Sequence, residues 1–313
     1  MEFIRGLHNL RPRHRGCVAT IGNFDGVHLG HQAVIGQLAE KAAELHLPAL
    51  AVLFEPQPLE HFRPEAAPAR LMRLREKLQA LRRYSVERVL CLRFDARQAA
   101  MSAEDFIRRV LVEALSVRYL VVGDDFRFGH GRAGDFALLE RAGRAHGFQV
   151  APMHSFTVDG ARVSSTRVRE ALAAGDLDGA ARLLGRGFRI SGRVAHGDKR
   201  GRTIGVPTAN IHLHRRVTPL CGVYVVELYG LDEEPLAGVA NIGTRPTVGG
   251  TRALLEVHLF DFDRDIYGRH VSVEFLHRLR DEQRFQSLDE LKARITMDFT
   301  EARHWLSGRT SRQ

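Results

Sequence analysis

Short apolar runs alternate with amphipathic helical stretches from Cys17 to about Leu184, and after Leu183-Leu184-Gly185-Arg186 that rhythm stops. No other feature of the chain limits its fold so strongly. Strands are expected at 18–22, 48–54, 88–92, 119–123 and 148–153, with helices between them such as 103–115. Alternating β and α units of this length predict a doubly wound parallel sheet, which takes its ligands at the carboxyl ends of its strands. Beyond residue 186 the pattern becomes alternating runs at 188–194, 223–228, 237–242, 254–260 and 271–276, joined by Gly- and Asp-containing turns. That spacing predicts a compact antiparallel β-barrel. A last helix, from Ser287 through Trp305, opens on a capping box and repeats apolar residues at Leu291, Ile295 and Phe299. The 313 residues therefore divide into an α/β domain, 1–185, and a barrel domain with a C-terminal helix, 186–313, each long enough to bury its own core.

The stretch Thr20-Ile21-Gly22-Asn23-Phe24-Asp25-Gly26-Val27-His28-Leu29-Gly30-His31 lies where the first strand turns into a helix from about Gly30. Gly22, Gly26 and Gly30 allow a tight turn and a close backbone approach to a ligand, and the first helical turn offers unpaired amides to an anion. His28 and His31, three apart, fall on one side of that turn. The pair either donates to phosphoryl oxygens or, as plain structure, caps and packs the helix.

Arg162-Val163-Ser164-Ser165-Thr166-Arg167-Val168-Arg169 likewise ends a short strand and opens a helix that Gly175 terminates. Its hydroxyls suit helix capping or a second anion cradle. In the C-terminal half, Pro207-Thr208-Ala209-Asn210 follows a glycine-rich segment carrying Lys199, Arg200 and Arg202. Cations there suit a polyphosphate, and the neutral oxygens of Thr208 and Asn210 suit Mg²⁺, which completes its shell with water and phosphate. A plain turn fits the same four residues. Glu256, within Leu254-Leu255-Glu256-Val257-His258-Leu259-Phe260, is either a solvent-face carboxylate or a general base aimed into a site.

His28-Leu29-Gly30-His31 and Val163-Ser164-Ser165-Thr166-Arg167-Val168-Arg169 resemble the H-x-G-H and I-S-S-T-x-x-R turns of the nucleotidylyltransferase superfamily, with Val for Ile. Gly123-Asp124-Asp125-Phe126-Arg127-Phe128-Gly129 and Phe54-Glu55-Pro56-Gln57-Pro58 narrow the resemblance to the FMN adenylyltransferase half of the bacterial FAD synthetases. Gly201-Arg202-Thr203-Ile204-Gly205-Val206-Pro207-Thr208-Ala209-Asn210, Asn241-Ile242-Gly243-Thr244-Arg245-Pro246-Thr247 and Leu279-Arg280-Asp281-Glu282-Gln283-Arg284-Phe285 are similar to the riboflavin kinase half. Val206 stands where phenylalanine is frequent, and Arg200 replaces a usually apolar residue.

The resemblance implies a two-step conversion of riboflavin to FMN and then FAD, with ATP as co-substrate, Mg²⁺ as cofactor, and ADP and pyrophosphate as products. It implies catalytic roles for His28, His31 and Glu256, and Mg²⁺ ligands in Thr208 and Asn210. It implies nucleotide or flavin binding by Gly22, Phe24, Asp25, Gly26, Gly30, Pro58, Gly123, Asp125, Phe128, Arg162, Ser164, Ser165, Thr166 and Arg169 in the first half. In the second half the same role falls to Gly201, Arg202, Gly205, Pro207, Asn241 and Arg280.

The formal charge of +9 raises nucleic-acid binding. The excess is dispersed arginine, however, which fits polyanionic small substrates better than an RNA groove. Charged runs such as 70–77 are expected as solvated helix faces. A tRNA-charging enzyme would also carry H-x-G-H, but no lysine-rich K-M-S-K-S-like loop is present. A second alternative keeps only the N-terminal activity and makes the barrel a flavin-binding regulatory module. Three scattered cysteines, Cys17, Cys91 and Cys221, have neither metal-ligand nor redox-pair spacing. With no membrane-length apolar run and no signal-like N-terminus, the expected location is the cytoplasm, with neither nucleic acid nor membrane as partner.

Overall fold

The computed structural model describes residues 1–196, 206–247 and 250–310. The chain divides into two compact units, Met1–Pro68 with Met72–Ser165, and Ala69–Leu71 with Thr166–Gln313.

In the first unit, β1 (Glu2–Arg5), β2 (Cys17–Ile21), β3 (Ala49–Glu55), β4 (Arg88–Arg93), β5 (Val117–Gly123) and β6 (Gln149–Met153) form one sheet in the order β1-β4-β3-β2-β5-β6. Every neighbouring pair is parallel. The chain winds outward from β2 through β3 to β4, then reverses to β5 and β6, so the topological switch lies between β2 and β5. β2 is apolar at nearly every position because both faces are covered. Cys17, Ala19 and Ile21 pack into a core with Leu111 and Leu120, while Val18 packs into a separate one with Ile35 and Leu38.

Three local features differ from the sequence pattern. The segment before Ser165 is not part of the parallel sheet, because β7 (Thr157–Val158) and β8 (Ala161–Arg162) pair with each other as an antiparallel hairpin. The helix expected over 103–115 begins as α at Ala103–Phe106 and continues as a π-helix over Ile107–Ala114. The run 70–77 is not a solvated face throughout: in the helix Leu74–Arg83, Glu76 is 9% and Lys77 1% exposed, because that side of the helix docks on the sheet.

In the second unit, β9 (Arg189–Ala195), β10 (Ala209–His212), β11 (Gly222–Tyr229), β12 (Leu236–Thr247), β13 (Gly250–Leu259) and β14 (His270–Arg280) close an antiparallel barrel in the order β10-β13-β12-β11-β14-β9. Leu255, Val257, Val273 and Phe275 are sealed within it. The barrel wall also buries residues on its outer side. Val223, Val225 and Val239 form a second core with Phe299, Ala302, Trp305 and Leu306 of the helix Leu288–Thr310. The Ser287 hydroxyl accepts the Glu290 N–H at the start of that helix, as expected of a capping residue, while the Glu290 carboxylate accepts from Gln286 rather than Ser287. Among the described residues no helix is long and apolar enough to cross a membrane.

Candidate active sites

β2 ends at Ile21, and the chain turns through seven residues before the helix Leu29–Glu44 begins. Phe24 (φ 46°), Gly26 (φ 88°) and Val27 (φ 42°) all adopt positive φ. For Phe24 and Val27 this conformation is strained, and complete burial of both side chains holds it. Gly22 serves the same turn differently, since a Cβ there would lie 3.1 Å from the Phe24 ring.

His28 is the N-cap, its Nδ1 accepting the His31 N–H at 3.3 Å. Because that bond uses the Nδ1 lone pair, the neutral ring carries its proton on Nε2 and presents a donor there. The His31 ring stacks on it with centroids 3.7 Å apart, and Phe24 lies against His31 at 5.2 Å. A Cβ on Gly30 would press on the His28 ring at 3.3 Å, which explains glycine between the histidines. Burial, and then the charges of His28 and Lys77, hold the His31 pKa well below its ordinary value. The result is a stacked pair of imidazoles beside a helix N-terminus, suited to donating to anionic oxygen.

Asp25 fastens this turn. Its Oδ1 accepts the Met72 N–H at 2.9 Å, and its backbone carbonyl accepts the Ser165 hydroxyl at 2.9 Å. Ser165, the first residue of the helix Ser165–Ala174, thereby ties Ser164 to the histidine turn. Thr166 follows in that helix, and one turn later Arg169 donates Nε–H to the Ala69 carbonyl at 2.6 Å.

At the end of β5, Gly123 gives Asp125 room, a Cβ there falling 3.1 Å from Asp125 Oδ1. Asp125 pairs with Arg162 at 2.6 Å, and that hydrogen bond lowers the Asp125 pKa. Phe128 is 8% exposed and packs on Phe106, so its ring belongs to the core rather than to an open surface. Pro58 opens the short helix Pro58–Phe62 beyond β3, where Leu59 and Phe62 are exposed.

The barrel site is built on strand register. Asn210 of β10 pairs with Glu256 of β13, Glu256 with Asn241 of β12, Asn241 with Val223 of β11, and Val223 with Arg280 of β14. Directly paired residues share a face of the sheet. A register shift between Val223 and Tyr224, across which the β14 partner passes from Arg280 to Arg278, brings Arg280 onto this row.

The row faces outward, where Leu291, Ile295 and Phe299 of the C-terminal helix roof a cavity of about 650 Å³. Thr208, Asn241, Glu256, His258, Arg280, Glu282 and Phe285 also line it. Glu256 is thus on the outer face, as strand alternation implies, but the helix turns that face into a site. The Asn241 Oδ1 is sealed from solvent and has no hydrogen-bond partner among the described residues. The His258 Nδ1 lies 2.8 Å from the Pro207 carbonyl, and its ring stacks on Phe299 with centroids 4.4 Å apart. Arg280 is held through Nε and NH2 by Asp298, itself 2% exposed, and through NH1 by the Asp281 carbonyl. Glu282 accepts from the Cys221 thiol at 3.2 Å, and burial followed by that bond pushes the thiol up to about 11.

Gly201, Arg202 and Gly205 lie outside the described residues. Lys77, His258 and Asp298 were given no site role from the sequence, and Glu282 and Phe285 lay in a kinase-like motif without a role of their own. His258 stands two residues from Glu256, on the same face of one strand, and that period-2 relation was the signal available for it.

A doubly wound sheet with a histidine-bearing turn at its switch point, joined to a barrel with an acid-lined cavity, defines a two-site transferase. Residues 10–167 match the family model described as FAD synthetase, and residues 184–306 match that described as riboflavin kinase. The chain is 56% identical to the bifunctional riboflavin kinase/FMN adenylyltransferase of Escherichia coli (strain K12), over 97% of this chain and 98% of that protein. It is 56% identical to the protein of the same name from Pseudomonas fluorescens, over 97% of each. A solved structure described as a macrolide-efflux protein from Streptococcus pneumoniae is 30% identical, with a TM-score of 0.80 over 97% of this chain and 100% of that one. The chain belongs to the bifunctional riboflavin kinase/FMN adenylyltransferase family.

Proposed function

We propose that this chain is a bifunctional enzyme: its barrel transfers the γ-phosphoryl group of ATP to riboflavin, giving FMN and ADP, and its α/β domain adenylylates FMN, giving FAD and pyrophosphate. The observation that carries the kinase assignment is the row Glu256–Asn241–Arg280 beneath the C-terminal helix, which sets a carboxylate, and an amide oxygen with no partner among the described residues, against an apolar roof; Asn210 extends the row by pairing with Glu256 but does not line the cavity. Such a cavity suits a flat aromatic ring system with a polar chain.

Glu256 accepts the proton of the ribityl 5′-hydroxyl as its oxygen attacks the γ-phosphorus and the bridging bond to ADP breaks. Thr208 and Asn210 would hold Mg²⁺. Both donors are neutral oxygens, a set that fits a cation arriving with its own phosphates, and no cluster of three acidic, histidine or cysteine groups competes for it among the described residues. When bound, the ion neutralises phosphate charge.

In the second reaction an FMN phosphate oxygen attacks the α-phosphorus of ATP, and the bond to the departing pyrophosphate breaks. The nucleophile is already anionic, so no protein base is needed. His28 and His31 donate to the phosphoryl oxygens, with Ser164 and Ser165 beside them, and Thr166 and Arg169 keep the nucleotide-binding role that their motif implies. The boundary between the activities is placed at 185/186 and the location in the cytoplasm, in keeping with three cysteines that form no disulfide. Incubating the protein with riboflavin, Mg²⁺ and ATP, then separating the flavins by chromatography, tests the reading. FMN and FAD should both accumulate, and failure to form FMN overturns the kinase assignment.

A further inference from the structure

His258 has no part in the chemistry assigned above, yet it touches both sides of the barrel site. It sits on β13 two residues beyond Glu256, so the two side chains leave the same face of one strand. Its Nδ1 is 2.8 Å from the Pro207 carbonyl. A carbonyl only accepts, so Nδ1 carries the proton, although a free neutral imidazole favours Nε2–H. The next residue along the chain is Thr208, which lines the same cavity. On its other side the ring lies flat on Phe299, interplanar angle 12°, within the helix that roofs the cavity. Between Val206 and Thr208 the backbone belongs to no helix or strand, so ladder bonds do not set its position. Proline at 207 also lacks an N–H with which to anchor itself.

We propose that His258 is a positioning residue for riboflavin phosphorylation: its Nδ1–H bond to the Pro207 carbonyl sets the Thr208 hydroxyl for the metal-bound phosphates of ATP, and Phe299 holds the ring in the orientation that bond requires. The inference rests on the kinase reading. It assigns His258 no contact with substrate and no proton transfer.

Two substitutions separate the halves of the arrangement. His258→Phe keeps a flat ring against Phe299 and removes the donor, whereas His258→Asn can place an amide N–H near the position of Nδ1. Loss of one such bond should raise the KM for Mg²⁺·ATP by about 3- to 10-fold in His258→Phe, with the riboflavin dissociation constant within 2-fold of wild type. His258→Asn should restore most of the ATP dependence. The riboflavin dissociation constant and the thermal unfolding of the same preparations report whether the barrel of each variant is folded.

A readout independent of turnover is the ¹⁵N spectrum of the histidine ring at alkaline pH, assigned by its disappearance in His258→Phe. It should show the Nδ1–H tautomer. An Nε2–H tautomer, or an unchanged KM for Mg²⁺·ATP in His258→Phe, overturns the proposal. Absence of riboflavin phosphorylation by the wild-type protein would instead sink the kinase reading beneath it.

Discussion

The α/β unit assembles its site from turns that follow strands, whereas the barrel assembles its site from the strands themselves. In the first, one contiguous stretch, Gly22 to His31, contains the turn, the cap and both imidazoles, and one hydroxyl, that of Ser165, ties it to a distant segment. In the second, each functional group comes from a different strand, and register alone brings Asn210, Glu256, Asn241 and Arg280 together. A loop-built site concentrates its chemistry in a short motif. A register-built site disperses it at one residue per strand, and becomes a site only when a helix covers the face.

The sharpest way to break this comparison is to separate the regions. A fragment beginning at Arg186 should phosphorylate riboflavin and make no FAD, as chromatography of the products would show. A fragment beginning at Thr166 should do the same with a higher melting temperature, because the helix Leu177–Leu184 packs on β14. Insolubility of both would mean that the barrel cannot stand alone.

Replacing His28 and His31 together with alanine removes the two proposed phosphate donors, each worth about 10²- to 10³-fold in that role, so FAD synthesis should fall by about 10⁴-fold or more. Riboflavin phosphorylation should continue. Normal FAD output would return the pair to a capping and packing role. Glu256→Gln should produce the reverse pattern, with kinase turnover down by about 10²- to 10⁴-fold, riboflavin affinity little changed and added FMN still adenylylated.

Ser165→Ala tests the link between the two turns. Losing its bond to the Asp25 carbonyl should reduce FAD formation by about 3- to 10-fold and leave the kinase untouched; an effect on both activities would show a global rather than a local role.

The smallest expected effect concerns pH. His31 stays neutral in the folded unit, while in the unfolded chain it titrates near the ordinary histidine value. As pH falls below about 6.5 the unfolded state binds the extra proton first, so His31 subtracts stability on the acid side and contributes nothing above it. Urea denaturation between pH 7 and 5 should show a shallower acid loss in His31→Gln than in wild type.

Both layer architectures were legible in the sequence because buried strands and amphipathic helices repeat at different periods, and five strands of each unit fall where that pattern puts them. β1 and β10 were not. Each is four residues long, and β1 buries only Ile4, so neither carries a readable alternation. The π-helical stretch was hidden because Ile107, Val110 and Leu111 are buried alike by either helix, and hydrogen-bond spacing leaves no trace in composition. The histidine turn was readable as a motif. The second role of Ser165, the burial of Lys77 and the place of His258 were not, since each depends on which face a neighbouring element covers.

The aligned row in the barrel has a consequence for how this half of the chain can change over generations. Substituting Asn241 alters one group, but deleting any single codon on one side of it in β12 exchanges inward and outward side chains along the remainder of that strand. Asn241 would still be encoded, yet its amide would turn into the barrel and an apolar neighbour would stand beside Glu256. Length variation should therefore collect in the connections between strands, while the strands themselves drift by replacement, or by paired insertions that keep the parity of the pleat.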